Sequence, residues 1–479
     1  NVLPTEIEQI SFLKGASAVV LYGSRAAKGV VYISTKRGKV EPLKVSAQVN
    51  TGFNVHKSYP KYLGSAEYMT LYNEARQNDG LNKLYSDEAI YNYSTGQNPY
   101  RYPNIDFFSS DYMRKFNNRS DATAEITGGN NFARFYTNIG YYRQNDVFKF
   151  GQAANNSTDR LNVRGNIDMT ISKYISAFVN TNATFYNTSS AKGDFLEASS
   201  TMRPNRFSPL IPISYINPND QDSLTLIQNS HQIDGMYFLS GTQAEQTNIF
   251  ADYYAAGSNK WTSRQFQFDT RIKIDLEKVL KGLSFNTQFA VDYATSYNTS
   301  YDNTYAIFTP TWSNYNGADI VSSLTKYNND RKPGVQNIGG STNRQTIAFF
   351  GQFNYVNSID EVHNFNAILL ANGYQQTESQ IYHRTGNANL GLHLGYDYLK
   401  KYFVEFSTAY SHSAKLAPGK RGALSPSLTL GWKMSNEDFL ADTAVDDLML
   451  SVSGSVLNTD MDIEEYYMYE SQYEQADKD

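Results

Sequence analysis

The chain has 479 residues, with 42 basic and 47 acidic side chains and a formal net charge of −5. This balance excludes the basic excess of a nucleic-acid-binding protein, and the absence of cysteine excludes a disulfide framework and cysteine-ligated metals. Aromatic residues make up 14% of the chain and charged residues only 19%, below the ~25% of typical soluble domains. Such a composition favours long strands that meet both water and an apolar medium.

The first 40 residues read as a compact α/β unit. Thr5 followed by Glu8 is a capping-box pattern, which predicts a short helix there. ISFLKG predicts a strand, and Ala16 to Tyr22 predicts a short helix that Gly23 ends. GVVYISTK predicts a second strand. The turns of this unit are predicted at Gly15, Gly23 and Gly29.

From Lys44 the hydrophobic period becomes two. In KVSAQVNTGFNV the apolar side chains, such as Val45 and Val49, alternate with polar ones, which gives a strand with one apolar and one polar face. RLNVRGNIDMTI, RQFQFDTRIKIDL and LSFNTQFAVDYA repeat the pattern. These stretches exceed the ~5–6 residues of average strands and match the ~9–11 of a tilted strand crossing a bilayer. Their polar faces carry full charges, Arg271 and Lys273 among them, which a water-filled lumen tolerates and a packed core does not.

The sequence therefore predicts an all-β fold, a transmembrane antiparallel β-barrel preceded by the end of an α/β domain. The links between strands alternate between short and mostly long, as in outer-membrane barrels with short periplasmic turns and longer outer loops. The long outer loops are predicted at 56–118, 189–260 and 297–342. The predicted strands are 44–55, 119–128, 131–144, 158–171, 174–188, 261–276, 282–296, 343–357, 363–377, 388–398, 401–413, 422–434 and 446–456.

The first long loop contains two predicted helices. Ser65 is a candidate N-cap for AEYMTLYNEARQ, and Ser86 is a candidate N-cap for DEAIYNY. A loop of this length is expected to fold over the barrel mouth or to contact a neighbouring protein.

One stretch carries a family resemblance. EIEQISFLKGASAVVLYGSRAAKGVVYISTKRGK, residues 6–39, resembles the end of the plug domain of TonB-dependent outer-membrane transporters. Among these transporters, the sequence is most similar to the SusC/RagA family. Two later stretches also resemble barrel segments of that family, namely TGGNNFARFYTNIGYYRQNDVFK and LSPSLTLGWKMSNEDFL. The residues that match the plug motif, in structural roles, are Lys14, Gly15, Tyr22, Gly23, Arg25, Gly29, Lys36 and Gly38.

The resemblance implies a barrel of about 22 strands with a plugged lumen. Residues 1–40 are then the end of the plug domain, and 41–479 the N-terminal portion of the barrel. About thirteen strands are predicted here, and an open sheet edge leaves unpaired backbone groups in lipid. We therefore expect the chain to be part of a longer protein, with targeting and TonB-contacting segments outside it.

The resemblance also implies a function. Members of the family import large nutrients, oligosaccharides or peptides, across the bacterial outer membrane in a TonB-dependent way. The implied partners are TonB–ExbB–ExbD, a SusD-like surface lipoprotein that acts as a lid, the ligand and outer-membrane lipid, with no nucleic acid. Two alternatives stay open. One is a siderophore or cobalamin receptor of the wider TonB-dependent family, and the other is a non-transporting barrel such as an adhesin or a surface enzyme.

Two outer loops concentrate side chains suited to ligand binding. Flat aromatic faces bind sugar rings or peptide side chains, and arginine forks bind carboxylates. The alternative is that these rings pack the loops onto each other. The candidates are Tyr301, Tyr305, Trp312 and Tyr315 in one loop and Arg203, Arg206 and Phe207 in the other.

The sequence predicts no catalytic residues, so an enzyme is not expected. H-E-x-x-H, G-x-S-x-G and P-loop motifs are absent from the sequence, and no cofactor is expected. A loop Ca²⁺ at NPNDQDS (217–223) or NTDMDIEE (458–465) is an open alternative. Neither stretch has the EF-hand register, which favours a solvated loop.

Overall fold

The computed structural model describes residues 2–381, 383–441, 443–463 and 466–471. Among these residues, no helix combines the length and the apolar content needed to cross a membrane. The described helices are α1 Ala16–Tyr22, α2 Ser65–Asn78, α3 Asp87–Thr95, α4 Phe195–Thr201, α5 Gln221–Gln228 and α6 Ala251–Tyr254. The described strands are β1 Ile7–Leu13, β2 Val30–Thr35, β3 Glu41–Val55, β4 Phe116–Gly129, β5 Ala133–Asn145, β6 Ser157–Thr170, β7 Ile175–Ser190, β8 Leu210–Pro212, β9 Tyr237–Leu239, β10 Gly257–Asp275, β11 Leu283–Asp302, β12 Ile307–Tyr315, β13 Ala318–Tyr327, β14 Asn337–Ile359, β15 His363–Glu378, β16 Thr385–Tyr398, β17 Tyr402–Ser413, β18 Gly422–Lys433 and β19 Met449–Ser455.

Thirteen of the described strands form one antiparallel sheet, which we call the wall. It contains β3 to β7, β10, β11 and β14 to β19, and neighbouring strands pair in chain order. All thirteen predicted strands are present. Several extend beyond their predicted ends, as β14 does, because the backbone ladder continues past the zone where apolar and polar residues alternate.

The two faces of the wall differ as the alternation predicts. Ile272 is 40% exposed and Phe289 is 43% exposed on the apolar face. Arg271 and Gln288 point the other way and line a cavity beside the N-terminal unit. Since side chains of a strand alternate between faces, the polar residues face the lumen and the apolar residues face outward.

The N-terminal unit, residues 2–39, is the part whose sequence resembles a plug, and we call it the plug unit. β1 and β2 form an antiparallel hairpin, with Ile10 opposite Ile33. Lys36 of this unit bonds to Glu125 in β4, and Val20 in α1 accepts a hydrogen bond from Asn389 in β16. Seven wall strands lie between β4 and β16 in the sheet order, so the wall must curve around the plug unit.

Two local predictions are wrong in detail. Thr5 and Glu8 do not cap a helix, because a 3-10 turn covers Pro4–Glu6 and Glu8 lies in β1, where pairing with β2 prevails. Ser65 is the first residue of α2 rather than its cap, since Gly64 is the N-cap and its N–H donates to Glu67. The cap predicted at Ser86 is confirmed, because its hydroxyl accepts from the Ala89 N–H at 3.1 Å.

The predicted alternation of short and long links between strands is present in most of the wall. Links such as 130–132 and 399–401 are short at one end, and links such as 56–115 and 191–256 are long at the other. The link 434–448 is an exception at the short-link end and contains two 3-10 helices among its described residues.

The long links fold into a unit with its own core, which we call the loop unit. An aromatic cluster at its centre joins the links 56–115, 146–156 and 191–256, and a second cluster joins β8 and β9 to the β12–β13 hairpin. The largest apolar core among the described residues therefore lies in the loops, while the wall presents many of its large apolar side chains outward.

Candidate functional site

Charged contacts fasten the plug unit to one side of the wall. The Arg164 Nε in β6 lies 3.0 Å from the Glu6 carboxylate, and both side chains are at most 9% exposed. The Arg37 Nε lies 2.8 and 3.0 Å from the two oxygens of Asp168, also in β6. Because charges out of water need close partners, these pairs fix where the hairpin lies.

Amide side chains and a close approach hold α1 on the other side. The Asn372 amide donates to the Leu21 carbonyl at 2.6 Å, and the Asn389 amide donates to the Val20 carbonyl at 3.0 Å. A Cβ on Gly391 would lie 2.5 Å from the Val20 carbonyl oxygen. Glycine at that wall position lets the helix backbone lie directly on the strand.

The plug-motif residues take several positions. Gly15, Gly23 and Gly29 have φ angles of 68, 70 and 100°, which glycine adopts without strain. A Cβ on Gly38 would lie 2.4 Å from the Phe135 backbone nitrogen. The other motif residues are distributed as follows: Lys14 is exposed, Tyr22 and Arg25 line the cavity beside the wall, and Lys36 pairs with Glu125 at 3.0 Å.

The loop unit is held by packed aromatic rings. Phe195 is 1% exposed, and its ring centroid lies 5.1 Å from that of Phe150 and 5.6 Å from that of Phe107. Burial raises the pKa of Tyr253, in the same cluster, to about 12. These rings come from three separate links, so their packing joins the loops into one body.

Beside this core the loop unit contains a pocket of about 450 Å³, the loop pocket. Its polar groups include Arg101, whose guanidinium lies 2.8 Å from the Asp319 carboxylate. Arg206 lies 4.0 Å from Glu245. Its lining includes the side chains of Tyr93, Tyr100, Arg101, Arg206, Phe207 and Trp312.

Three of the seven predicted ligand residues meet in the loop pocket. Arg206 and Trp312, more than a hundred positions apart in sequence, line it together with Phe207. Phe207 is only 5% exposed and belongs to the aromatic core, so for this residue the packing alternative describes its main contacts. Tyr93, Tyr100 and Arg101 were not predicted, although YNYSTGQNPYRYPN, residues 91–104, has the same mixture of aromatic and arginine residues.

The other four predicted residues lie elsewhere. Arg203 lines a neighbouring cavity of about 660 Å³ and lies over the Tyr72 ring at 5.5 Å. Tyr305 packs against an apolar cluster. Tyr301 and Tyr315 are exposed, at the end of β11 and at the tip of the β12–β13 hairpin.

The two acidic stretches have local roles. The Asp220 carboxylate caps α5 and accepts from the Ser223 N–H at 3.1 Å. Asp460 accepts from the Ser24 hydroxyl of the plug unit at 2.7 Å, and Asp462 pairs with Lys28 at 2.6 Å. The remaining acidic residues of the second stretch, at 464 and 465, lie outside the described residues, and a loop Ca²⁺ stays an untested expectation.

Comparisons with known proteins agree with the family resemblance that the sequence carries. No protein-family profile matches the chain. Over 458 residues the chain is 22% identical to TonB-dependent receptor P39 of Formosa agariphila, a match that covers 92% of this chain and 39% of that protein. Over 456 residues it is 23% identical to TonB-dependent receptor SusC of Bacteroides thetaiotaomicron, covering 92% and 42%. The resemblance to SusC-type TonB-dependent receptors is confirmed.

The solved structures agree on the fold. A chain described as the RagAB peptide transporter superposes with a TM-score of 0.63 at 18% identity, covering 94% of this chain and 51% of that one. The predicted all-β class, an antiparallel β-barrel, is thereby confirmed as the fold, and the assignment of residues 1–40 to a plug domain stays a prediction. This chain spans about two fifths of the length of these two TonB-dependent receptors, and both are named as receptors rather than enzymes.

Proposed function

We propose that this chain is part of a TonB-dependent importer that moves large nutrients, oligosaccharides or peptides, across the bacterial outer membrane. The observation that carries the proposal is the plug unit bonded to both sides of a curved wall with a polar inner face. A lumen occupied in this way passes a large solute only if the plug moves. Energy supplied through TonB–ExbB–ExbD would move it.

The chemistry of the plug contacts supports a plug that moves. The wall holds it through polar groups such as Arg164, Asn372 and Asn389, and the apolar cluster that joins α1 to Ala409 of β17 is small. The amide hydrogen bonds of Asn372 and Asn389 contribute about 0.5–1.5 kcal/mol each net, and the bond between the charged groups of Arg164 and Glu6 about 1.5–3 kcal/mol, because water replaces each of them when it breaks. A mechanical pull can therefore exchange these contacts for water one after another.

The loop pocket supports binding of the solute before transport. Trp312 offers a flat apolar face, and Arg101 and Arg206 offer planar donors, in a space of about 450 Å³. Aromatic faces suit sugar rings and peptide side chains alike. The pocket therefore supports both of the proposed nutrient classes.

The first long loop supports a lid partner. Its helices α2 and α3 and their flanks expose large apolar side chains, which on a soluble surface mark an interaction site. We assign this surface to a SusD-like lipoprotein of the kind that the SusC resemblance implies. The exposed residues are Tyr62, Leu63, Leu71, Leu81, Leu84 and Tyr91.

The test is nutrient uptake by the source bacterium that carries the full-length protein. Deleting its gene is expected to abolish growth on one class of oligosaccharide or peptide, and inactivating TonB is expected to give the same loss. Trp312→Ala should raise the nutrient concentration needed for half-maximal uptake, while Tyr315→Ala, in the same hairpin but outside the loop pocket, should not. Uptake that persists without TonB would refute the proposal.

A further inference from the structure

A second cavity lies deeper, between the plug unit and the wall, and we call it the plug cavity. It has a volume of about 810 Å³ and is separate from the loop pocket. Tyr22 and Arg25 line it from the plug unit, and Arg271 and Tyr374 line it from the wall.

The two charged side chains that line the plug cavity are both arginines. Its lining within the described residues contains no aspartate or glutamate. Neither Arg25 nor Arg271 has a carboxylate of the described residues within 4.0 Å, in contrast to Arg37 and Arg164, which are paired with wall or plug carboxylates. The formal charge of the described lining of the plug cavity is therefore +2.

Each of these guanidinium groups is held by an aromatic face. The Arg25 Cζ lies 4.4 Å from the centroid of the Tyr374 ring, and the Arg271 Cζ lies 4.6 Å from that of Phe178. Stacking orients a guanidinium and leaves the N–H groups along its edge free to donate. Two oriented forks beside one cavity suit a planar oxyanion such as a carboxylate.

Four amide side chains also line the plug cavity, and three of them already donate one hydrogen bond within the protein: Gln288 to Asp269, Gln352 to Asn354 and Asn372 to Leu21. Asn286, Gln288, Gln352 and Asn372 bring side-chain amides to the plug cavity. The neighbouring carboxylate of Asp269, two residues from Arg271, already accepts hydrogen bonds from Asn180 and Gln288 and lines a different cavity. Asp269 therefore lies next to the lining, on Gln288, without lining the plug cavity itself.

We infer that the plug cavity binds a carboxylate group of the imported solute. This inference rests on the proposed import function and narrows its substrate class to carboxylate-bearing solutes. A solute carboxylate bound in the plug cavity lies beside both the plug unit, which contributes Arg25, and the wall, which contributes Arg271.

The test is calorimetric binding to the purified full-length protein with matched probes. Trialanine is compared with trialanine amide, and trigalacturonate with maltotriose, so that each pair differs in carboxylate content. In at least one pair the member with a carboxylate should bind more tightly than its partner without one. The pair that responds separates a peptide source of the carboxylate from a sugar source.

Two variants locate the effect. Arg271→Gln should weaken binding of the carboxylate probe by roughly tenfold to a hundredfold, the range expected for charge-assisted hydrogen bonds. Lys273→Gln is the matched control, because it removes one positive charge from the same face of β10 without lining the plug cavity. Lys273→Gln should change the affinity for the carboxylate probe by less than about twofold, because salt screens a charge that does not contact the probe. Arg271→Lys, which keeps the charge but not the fork, should fall between them.

Two results would overturn the inference. One is equal binding of both members of each pair, and the other is equal loss in Arg271→Gln and Lys273→Gln. TonB-dependent uptake of a neutral nutrient that Arg271→Gln leaves unchanged would also overturn it while the import function stands. The import function itself fails on a different result, namely uptake that does not depend on TonB.

Discussion

Single residues decide how the plug unit is attached. Glu6 is fully buried, and its carboxylate accepts from the Leu3 N–H at 3.0 Å and from Arg164 at 3.0 Å. Removing one member of a buried pair leaves the other charge unpaired, which is costlier than never having had the pair. The attachment therefore depends on both residues being present together.

We expect Glu6→Leu to weaken plug attachment by about 3–5 kcal/mol, and Glu6→Leu with Arg164→Leu to recover part of the loss. The measurement is release of the plug unit as urea is added, detected by the fluorescence of a dye attached to Lys14→Cys. Lys14 is exposed, and the sequence has no other cysteine that the dye could label. Lys83→Ala, which breaks an exposed pair with Asp87, is the control and should have no measurable effect. A double variant no better than Glu6→Leu would contradict the pairing argument.

Glu437 is expected to make one end of the wall, where most links between strands are short, sensitive to acid. Lys401, Trp432 and Tyr402 donate hydrogen bonds to Glu437 and lower the pKa of its carboxyl from the ordinary 4.5 to about 2. The Lys401 Nζ and the Trp432 Nε1 each lie 3.0 Å from it. Since the pKa is lower in the folded state, the stabilisation is complete above pH 4.5 and is lost as the pH falls toward about 2.

We therefore expect the environment of Trp432 to change between pH 4.5 and about 2, as Glu437 takes up a proton. The measurement is tryptophan fluorescence in a Trp261→Phe and Trp312→Phe background, which leaves Trp432 as the reporter. Glu437→Gln should abolish the transition in that range. A transition of the same amplitude in Glu437→Gln would assign it to another group.

At the scale of elements, the molecule has two kinds of packing. Wall strands are held by backbone ladders, and their apolar faces point outward. The loop unit is held by buried rings such as Phe195 and Phe107. The α4 helix carries Phe195 into that core, and its N-cap Asp194 accepts from the N–H groups of Leu196 and Glu197.

We expect Phe195→Ala to destabilise the loop unit by about 3–5 kcal/mol, because it removes a large buried side chain and leaves a cavity. Hydrogen exchange followed by mass spectrometry should show faster exchange in 191–256 and unchanged exchange in wall strands such as β16. Tyr91→Ala is the control, since Tyr91 is exposed on α3. Equal acceleration in the wall would show that the loop unit is not an independent packing unit.

At the scale of the whole molecule, the outward apolar face of the wall requires an apolar surrounding. Leu394 and Leu428 are each more than two fifths exposed, and many more large apolar residues are exposed along the same face. Such a continuous apolar surface is far larger than soluble monomers present. Outer-membrane lipid is the surrounding that we propose.

We expect Leu394→Arg to reduce stability in lipid bilayers by about 2–4 kcal/mol, the cost of a charge facing lipid near the bilayer midplane. Denaturant titration of the full-length protein folded into vesicles measures the change. Leu394→Met keeps the apolar surface and is the control. If the arginine variant is as stable as the methionine variant, position 394 does not face lipid.

The sequence by itself determined the wall. Alternation with a period of two fixes which face of a strand is apolar, and turn residues fix where strands reverse, so both are local properties that a single sequence displays. The plug turns were equally readable, because Gly15, Gly23 and Gly29 occupy backbone conformations that favour glycine.

Only the tertiary structure decided which distant residues meet. Arg206 and Trp312 share the loop pocket, and Arg25 and Arg271 share the plug cavity, although no local pattern joins either pair. It also decided that Phe207 and Tyr305 pack chiefly into apolar clusters while Tyr315 stays exposed. The physical reason is that side-chain contacts between loops depend on how whole elements pack, whereas strand period and turn preference depend on neighbours along the chain.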